Sequence, residues 1–206
     1  MLTSLSVRYR GRGAPEAGLA LIEVLVSLII LLFGLLGLVG ISSRANLAEL
    51  ESYQRAQALQ LVQDMADRLN ANRKVATCYS NSTTGVQLGT GSGNTGIPAC
   101  TVGNTQQQTQ AAADLTAWNN MLKGQAEILS GSKIGAMIGA IGCVTQDDAT
   151  NNIYLIAVSW QGLAATYAPT VVVAGVTKPF PCGNGAYGND KLHRVVTTKV
   201  RIGALS

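Results

Sequence analysis

The chain is poor in the residues that usually carry chemistry. One histidine, His193, serves 206 residues, aromatic residues make up 5% and charged residues 13%. The four cysteines include no C-x-x-C pair, so a Cys/His zinc site lacks both its spacing and its imidazoles. There is no G-x-S-x-G nucleophile elbow and no G-x-x-x-x-G-K-[ST] phosphate loop. The excess of positive charge is small, at +4. Three of the fifteen basic residues (Arg8, Arg10, Arg12), but only Glu16 of the eleven acids, lie in the first eighteen positions. The sequence pI of about 9.0 is therefore partly a property of that short segment. It argues only weakly for a nucleic-acid partner.

What the chain has instead is a long apolar run, "EAGLALIEVLVSLIILLFGLLGLVGI", from Glu16 to Ile41. It lifts the mean hydropathy to +0.23. Residues 19–41 contain one charge and no proline. As a helix they span about 34 Å, enough to cross a bilayer. The arginines before the run keep the N-terminus cytoplasmic and place the remainder outside. A secretory signal has a 7–15-residue apolar core followed by a small-residue cleavage site. This run is longer, and "ISSRANLAEL" after it reads as continuing helix, so the segment is expected to be retained as an anchor. Glu23 is the exception inside it. An acid at the bilayer centre costs on the order of 3 kcal/mol. Glu23 sits about 6 Å past Leu19, however, near the headgroups and near the positive end of the helix. Gly34, Gly37 and Gly40 read as ordinary glycines of a membrane helix.

The cysteines are Cys78, Cys100, Cys143 and Cys182. An even number beyond a membrane segment points to disulfides in an oxidising compartment. Sequence leaves three connectivities open. Neighbouring pairs, Cys78–Cys100 and Cys143–Cys182, are favoured because each closes a loop rich in Gly, Asn and Thr. Closing such a loop is worth about 3 kcal/mol in the chain-entropy account.

"GLALIEVLVSLIILLFGLLGL", from Gly18 to Leu38, resembles the class III signal of type IV pilins and pseudopilins. In that family a basic leader ends in Gly, and the apolar helix that follows carries Glu at its fifth mature position. Gly18 matches the last leader residue, Leu19 the first mature residue and Glu23 the fifth. Leu19 stands where the family usually has Phe. The resemblance implies cleavage by a prepilin peptidase between Gly18 and Leu19 and N-methylation of Leu19. It also implies pairing of Glu23 with the terminal amine of a neighbouring subunit.

Residues 42–74 continue in helical register, with Leu47, Leu50, Leu61, Met65 and Leu69, and Leu59 and Val62 between them, as an apolar side. The helix is expected to end near Asn70–Lys74. Residues 80–110 have loop composition, with a short strand available around Val86, Leu88 and Ile97. Residues 111–130 read as a helix with Trp118 packed inside. Four strands are expected, over 136–146, 153–162, 166–175 and 193–202, with Pro169 making the third an edge or interrupted strand. "DDATNN" (147–152) is a hairpin turn by composition, and ordinary turn chemistry is favoured there over a calcium site. His193 reads as a loop-edge residue. Lys199 and Arg201, in line with Thr197, read as a solvated strand face.

"IGCVTQ", "YLIAVSWQG", "PCGNGAY" and "HRVVTTKVRI" are similar to segments of the PilV-type pilus modification proteins, through Cys143, Trp160, Gln161, Gly162, Cys182, Gly183 and Arg194. "DMADRLNANR" (64–73) is similar to the end of their first helix. The expected fold is α+β and type IV pilin-like, with a long N-terminal helix on an antiparallel sheet. The expected division is a leader at 1–18, a membrane or fibre-core half-helix at 19–41, an amphipathic half-helix at 42–74 and a globular head at 75–206. The resemblance implies a minor pilin acting in assembly, priming or the tip complex. Its partners would be other minor and major pilins, the prepilin peptidase and the inner-membrane assembly machinery. It would sit first in the bacterial inner membrane with its head in the periplasm, and then in the pilus. The alternatives are a type II secretion pseudopilin and a DNA-binding competence-type pilin. No catalytic, cofactor or metal residues are expected.

Overall fold

A single helix, α1, runs from Ala17 to Ala71 without a break. This computed structural model describes residues 17–91, 93–125, 128–129, 132–133 and 137–203, with only the backbone of 17–20, 128–129 and 132–133. The expected leader, with Arg8, Arg10 and Arg12, falls almost wholly outside the described residues. The chain divides into two compact units, meeting at Asn46 and Leu47.

In the first unit every described side chain of α1 is exposed, although most are apolar. In the second unit the helix becomes one-sided. Ala58, Val62, Met65, Ala66 and Leu69 are buried, at the spacing of a helix that packs along one stripe. The stripe differs from the expected one. Leu47, Leu50 and Leu59 stay exposed, Leu50 by 53%, while two alanines take core positions. A leucine-counting pattern overlooks alanines, which bury little area themselves but bring the helix backbone close to its neighbours.

After α1 come a short turn and α2 (Thr77–Ser80), then strand β1 (Val86–Gly89). Helix α3 spans Thr105–Leu122. Two small strands follow, β2 (Ile128–Leu129) and β3 (Ser132–Lys133), paired with each other. Strands β4 (Ile141–Asp148), β5 (Ile153–Gln161), β6 (Thr170–Val173), β7 (Val176–Pro179) and β8 (His193–Arg201) complete the chain.

The main sheet is antiparallel, in the order β1-β4-β5-β8. The architecture is therefore α+β, with a long apolar N-terminal helix and an antiparallel sheet. Alternation along β5 decides its two faces. Tyr154, Ile156, Val158 and Trp160 join a large core that also holds Met65, Leu69, Leu115, Trp118 and Leu122 from the helices. Leu155 and Ala157 face the other side, toward Ile141, Phe180, Cys182 and Tyr187. Burial on both faces explains why "IYLIAVSW" is apolar almost throughout.

Two segments depart from expectation. Helix α3 begins and ends earlier than 111–130. Asn104 accepts from the Gln107 N–H at 2.9 Å while the Gln107 side chain accepts from the Asn104 N–H at 3.1 Å, and this reciprocal cap starts the helix. At its other end Gly124 adopts φ of +78°, past which 128–129 is strand. The expected third strand lies outside the main sheet. Residues 170–173 pair instead with 176–179 as a separate two-stranded ribbon. Ala174 and Gly175 between them have φ of +51° and +78°, the tight hairpin geometry that closes a ribbon locally. The place beside β5 goes to β8, over nine consecutive pairs from Ile153↔Arg201 to Gln161↔His193. The short strand available around Val86 and Leu88 is present as β1, an edge strand of the main sheet. Its alternate residues Val86 and Leu88 enter the core.

Candidate functional site

Gly18, Leu19 and Glu23 lie on one continuous helix. The side chains of Gly18 and Leu19 are outside the described residues, whereas Glu23 is described and exposed. It is the only ionisable residue between Leu19 and Ile41, and its neighbours Ile22 and Val24 are themselves exposed. Around it Leu21, Leu25, Leu28, Leu32, Leu36 and Ile41 all face outward. An added Cβ at Gly34, Gly37 or Gly40 would meet nothing within 4 Å. By length and composition this helix is able to cross a membrane. In water such a surface is unfavourable by about 25 cal/mol for each Å² exposed, so the segment needs lipid or other apolar helices around it.

Farther along α1, Glu51 is fastened to the end of the sheet. Its Oε1 accepts from the backbone N–H groups of Leu163 (3.0 Å) and Ala164 (3.1 Å) and from Arg194 Nη2 (3.2 Å). Arg194 also donates to the carbonyls of Ala164 and Lys191. Arg194 stands opposite Trp160 in the β5–β8 register, and its guanidinium lies over Gly162. A Cβ at Gly162 would come within 2.7 Å of it. Trp160, Gly162 and Arg194, noted in the sequence only as resembling segments, thus form one assembly with Glu51. The sequence offers no signal that singles out Glu51 among the acids of α1.

A second polar cluster joins the three helices and went unseen in the sequence. Asp114 of α3 is only 5% exposed. It accepts from Arg68 Nη1 at 3.1 Å, from Gln110 Nε2 at 2.9 Å and, through its other oxygen, from the Tyr79 hydroxyl at 2.5 Å. Arg68 also pairs with Asp64 one helical turn earlier, at 2.7 Å. Asn72 bridges to the Gln107 carbonyl at 2.9 Å. Burial and the bond to Asp114 push the Tyr79 phenol well above its ordinary pKa. The carboxylates of Asp64 and Asp114 raise the Arg68 guanidinium. Every member has a partner, so this arrangement serves as internal bracing.

The cysteines pair as Cys78–Cys100 and Cys143–Cys182, with sequence separations of 22 and 39. The first ties α2 to the chain ahead of α3. The second ties β4 to the segment 180–192, which covers the outer face of the sheet. In that segment Tyr187 is buried, with its hydroxyl 2.9 Å from Ser159 Oγ and donating to the Gly139 carbonyl at 3.2 Å. Gly183 (φ +80°) packs so close that a Cβ would lie 2.3 Å from Ser159 Oγ. His193 corrects the expectation of a loop-edge residue. It opens β8 and is only 3% exposed, with its ring centroid 5.3 Å from that of Tyr187. The segment that leads directly into β8 folds back over the sheet and buries a strand end that would otherwise be wet.

Asp147 and Asp148 diverge. Asp147 meets Lys199 Nζ at 2.7 Å, while Asp148 accepts from the N–H groups of Thr150 and Asn151 at 2.9 and 3.0 Å and closes the β4–β5 turn. Those bonds, led by that to the Asn151 side chain, hold Asp148 below the usual carboxylate range. Thr197, Lys199 and Arg201 share the exposed face of β8. A groove of about 550 Å³ is lined by Arg73, Lys74, Gln107 and Asn152, among others. No family model matches this chain, and no curated protein or solved structure does.

Proposed function

We propose that the chain is a minor subunit of a type IV pilus, cut between Gly18 and Leu19 and acting in assembly, priming or the tip complex. The observation that carries this reading is a single carboxylate, Glu23, one helical turn past Leu19 in the 19–41 part of α1, which carries no other charge and whose described side chains are all exposed. Cleavage creates an α-amine at Leu19 that does not exist in the precursor. Within a bundle of such helices, an unpaired charge in the apolar interior is costly, whereas an amine–carboxylate pair between neighbours is far less so. The pair then sets the axial register of the incoming subunit.

On this reading residues 19–41 hold the protein in the inner membrane before assembly, with the disulfide-bonded head on the periplasmic side. The partners are other minor and major pilins, the prepilin peptidase and the inner-membrane assembly machinery. The α+β architecture, the continuity of α1 and the two disulfides are all in keeping with this. N-terminal sequencing of the membrane-extracted protein tests the cleavage, with a methylated Leu19 expected and an intact Met1 contrary to the reading. Replacing Glu23 by Leu tests the pairing: membrane insertion is expected to persist while incorporation into sheared pili drops at least ten-fold. Normal incorporation would remove the role assigned to Glu23.

A further inference from the structure

The segment 181–192 is held on the sheet in an uneven way. Its internal hydrogen bonds are local turns, Pro181 to Asn184, Gly183 to Ala186, Tyr187 to Asn189 and Asn189 to Lys191 and Leu192. Across residues 183–189 the described hydrogen bonds to the sheet side pass through the Tyr187 hydroxyl, which meets Ser159 and Gly139. Tyr187 in turn rests on the His193 ring. That ring is buried and its Nε2 has no hydrogen-bond partner among the described residues. The N-terminal end of the segment is tied covalently, through Cys182 to Cys143. The C-terminal end is paired by Gly162 N–H to the Leu192 carbonyl and Thr166 N–H to the Lys191 carbonyl.

A neutral imidazole tolerates this position, because an unpaired ring nitrogen costs little beside a buried charge. A protonated one does not. It places a second N–H and a positive charge in a site whose Nε2 side offers no acceptor. The charged groups facing the ring are Asp190, from the segment itself, and Arg194, from β8, and they oppose each other. Tyr187 is the remaining titratable neighbour, and its phenol stays protonated. Ser159 and Gln161, contributed by β5, are neutral. Burial outweighs the help from Asp190 and the Cys182 backbone and pushes His193 below its ordinary value.

We infer that segment 181–192 is an acid-released latch, in which protonation of His193 undocks residues 183–192 from the outer sheet face while Cys182 stays tethered to Cys143. Opening lets the imidazolium hydrate and uncovers Ser159 and the cluster around Ile141 and Ala157. The inference stands independently of the pilus reading, since it uses only the head.

The chain contains one histidine, so labelling histidine with ¹³C in the full-length, detergent-solubilised protein gives a single imidazole resonance to titrate. That resonance is expected to titrate below the ordinary histidine value. Over the same range, hydrogen-exchange protection of peptides within 183–192, corrected for intrinsic rates, is expected to fall several-fold. Peptides from α3 should keep their protection. His193→Phe should keep the segment protected down to about pH 4.5, well below the imidazole's range; if that variant does not fold, the wild-type titration decides alone. Titration at the ordinary value, unchanged protection after the imidazole has charged, or acid release that persists in His193→Phe would each overturn the inference.

Discussion

Glu51 on α1 and Arg194 on β8 lie 143 residues apart in sequence and meet with Arg194 Nη2 3.2 Å from Glu51 Oε1. The same carboxylate oxygen receives two backbone N–H groups from the turn after β5. One side chain therefore fixes both the helix and the strand end against each other. Removing it as Glu51→Ala leaves three donors without their acceptor, one of them on an arginine side chain only 16% exposed. A loss of about 2 kcal/mol is expected. Glu51→Gln retains an acceptor but not the charge and should cost about half as much. Urea denaturation of the full-length chain in detergent, followed by Trp118 and Trp160 fluorescence, measures both. A change below about 0.5 kcal/mol for the alanine variant, the size of a neutral surface substitution, would count against the bridging role of Glu51.

Asp114 braces all three helices, and its removal strands partners that are themselves part-buried. Asp114→Ala is expected to destabilise the head by about 3 kcal/mol, in the range for breaking a buried pair from one side. Tyr79→Phe removes only the hydroxyl and should cost about 1 kcal/mol. A double-mutant cycle on the two positions should return a coupling of about 1 kcal/mol, and strict additivity would show that the short contact carries no energy of its own.

Gly142 of β4 is small because α3 lies against it. A Cβ there would stand 2.3 Å from the Trp118 ring and 2.6 Å from Leu122 Cδ1, both fully buried side chains. Gly142→Ala is expected to cost about 3 kcal/mol as the indole is pushed out of place. Gly162→Ala meets the end of a flexible arginine instead and should cost about 1 kcal/mol. Thermal unfolding of the two variants side by side checks the order, and equal shifts would contradict the packing described.

Alkaline stability follows from the buried phenols. Burial pushes Tyr187 up to about 12, and Tyr79 is raised farther by burial and Asp114. A group whose folded pKa is raised contributes stability that is complete below its unfolded value, 10.0 here, and is lost as pH rises through the folded one. Stability should hold to about pH 10 and fall steeply toward pH 12. Absorbance at the tyrosinate band should show Tyr79 and Tyr187 ionising last of the six tyrosines, after Tyr154, which burial also raises, and together with unfolding. Smooth titration of all six before unfolding would refute this.

Much of the secondary structure was readable along the chain. The apolar run and the amphipathic register after it marked α1, because a helix satisfies its own backbone and shows its period locally. The strands β4, β5 and β8 were visible in their β-branched content. The strand expected over 166–175 is confined to 170–173 and lies outside the main sheet, because a two-residue turn at Ala174–Gly175 returns the chain on itself, and a ribbon closed locally forgoes the longer-range partner. The true start of α3 was written in Asn104–Gln107 and passed over, since an Asn–Gln cap lies among similar polar residues.

The sequence by itself determined that one long helix begins greasy and ends one-sided, that a strand-rich head follows, and that a lone acid sits one turn inside the apolar run. Each of these rests on period and composition, which act over a few residues. Only the tertiary structure decided which cysteines meet, that Glu51 closes on Arg194, that Asp114 gathers Arg68 and Tyr79, and that His193 is buried. Those depend on which distant segments share a surface. Alternation along a strand tells which side chains share a face, but not which part of the chain will cover it.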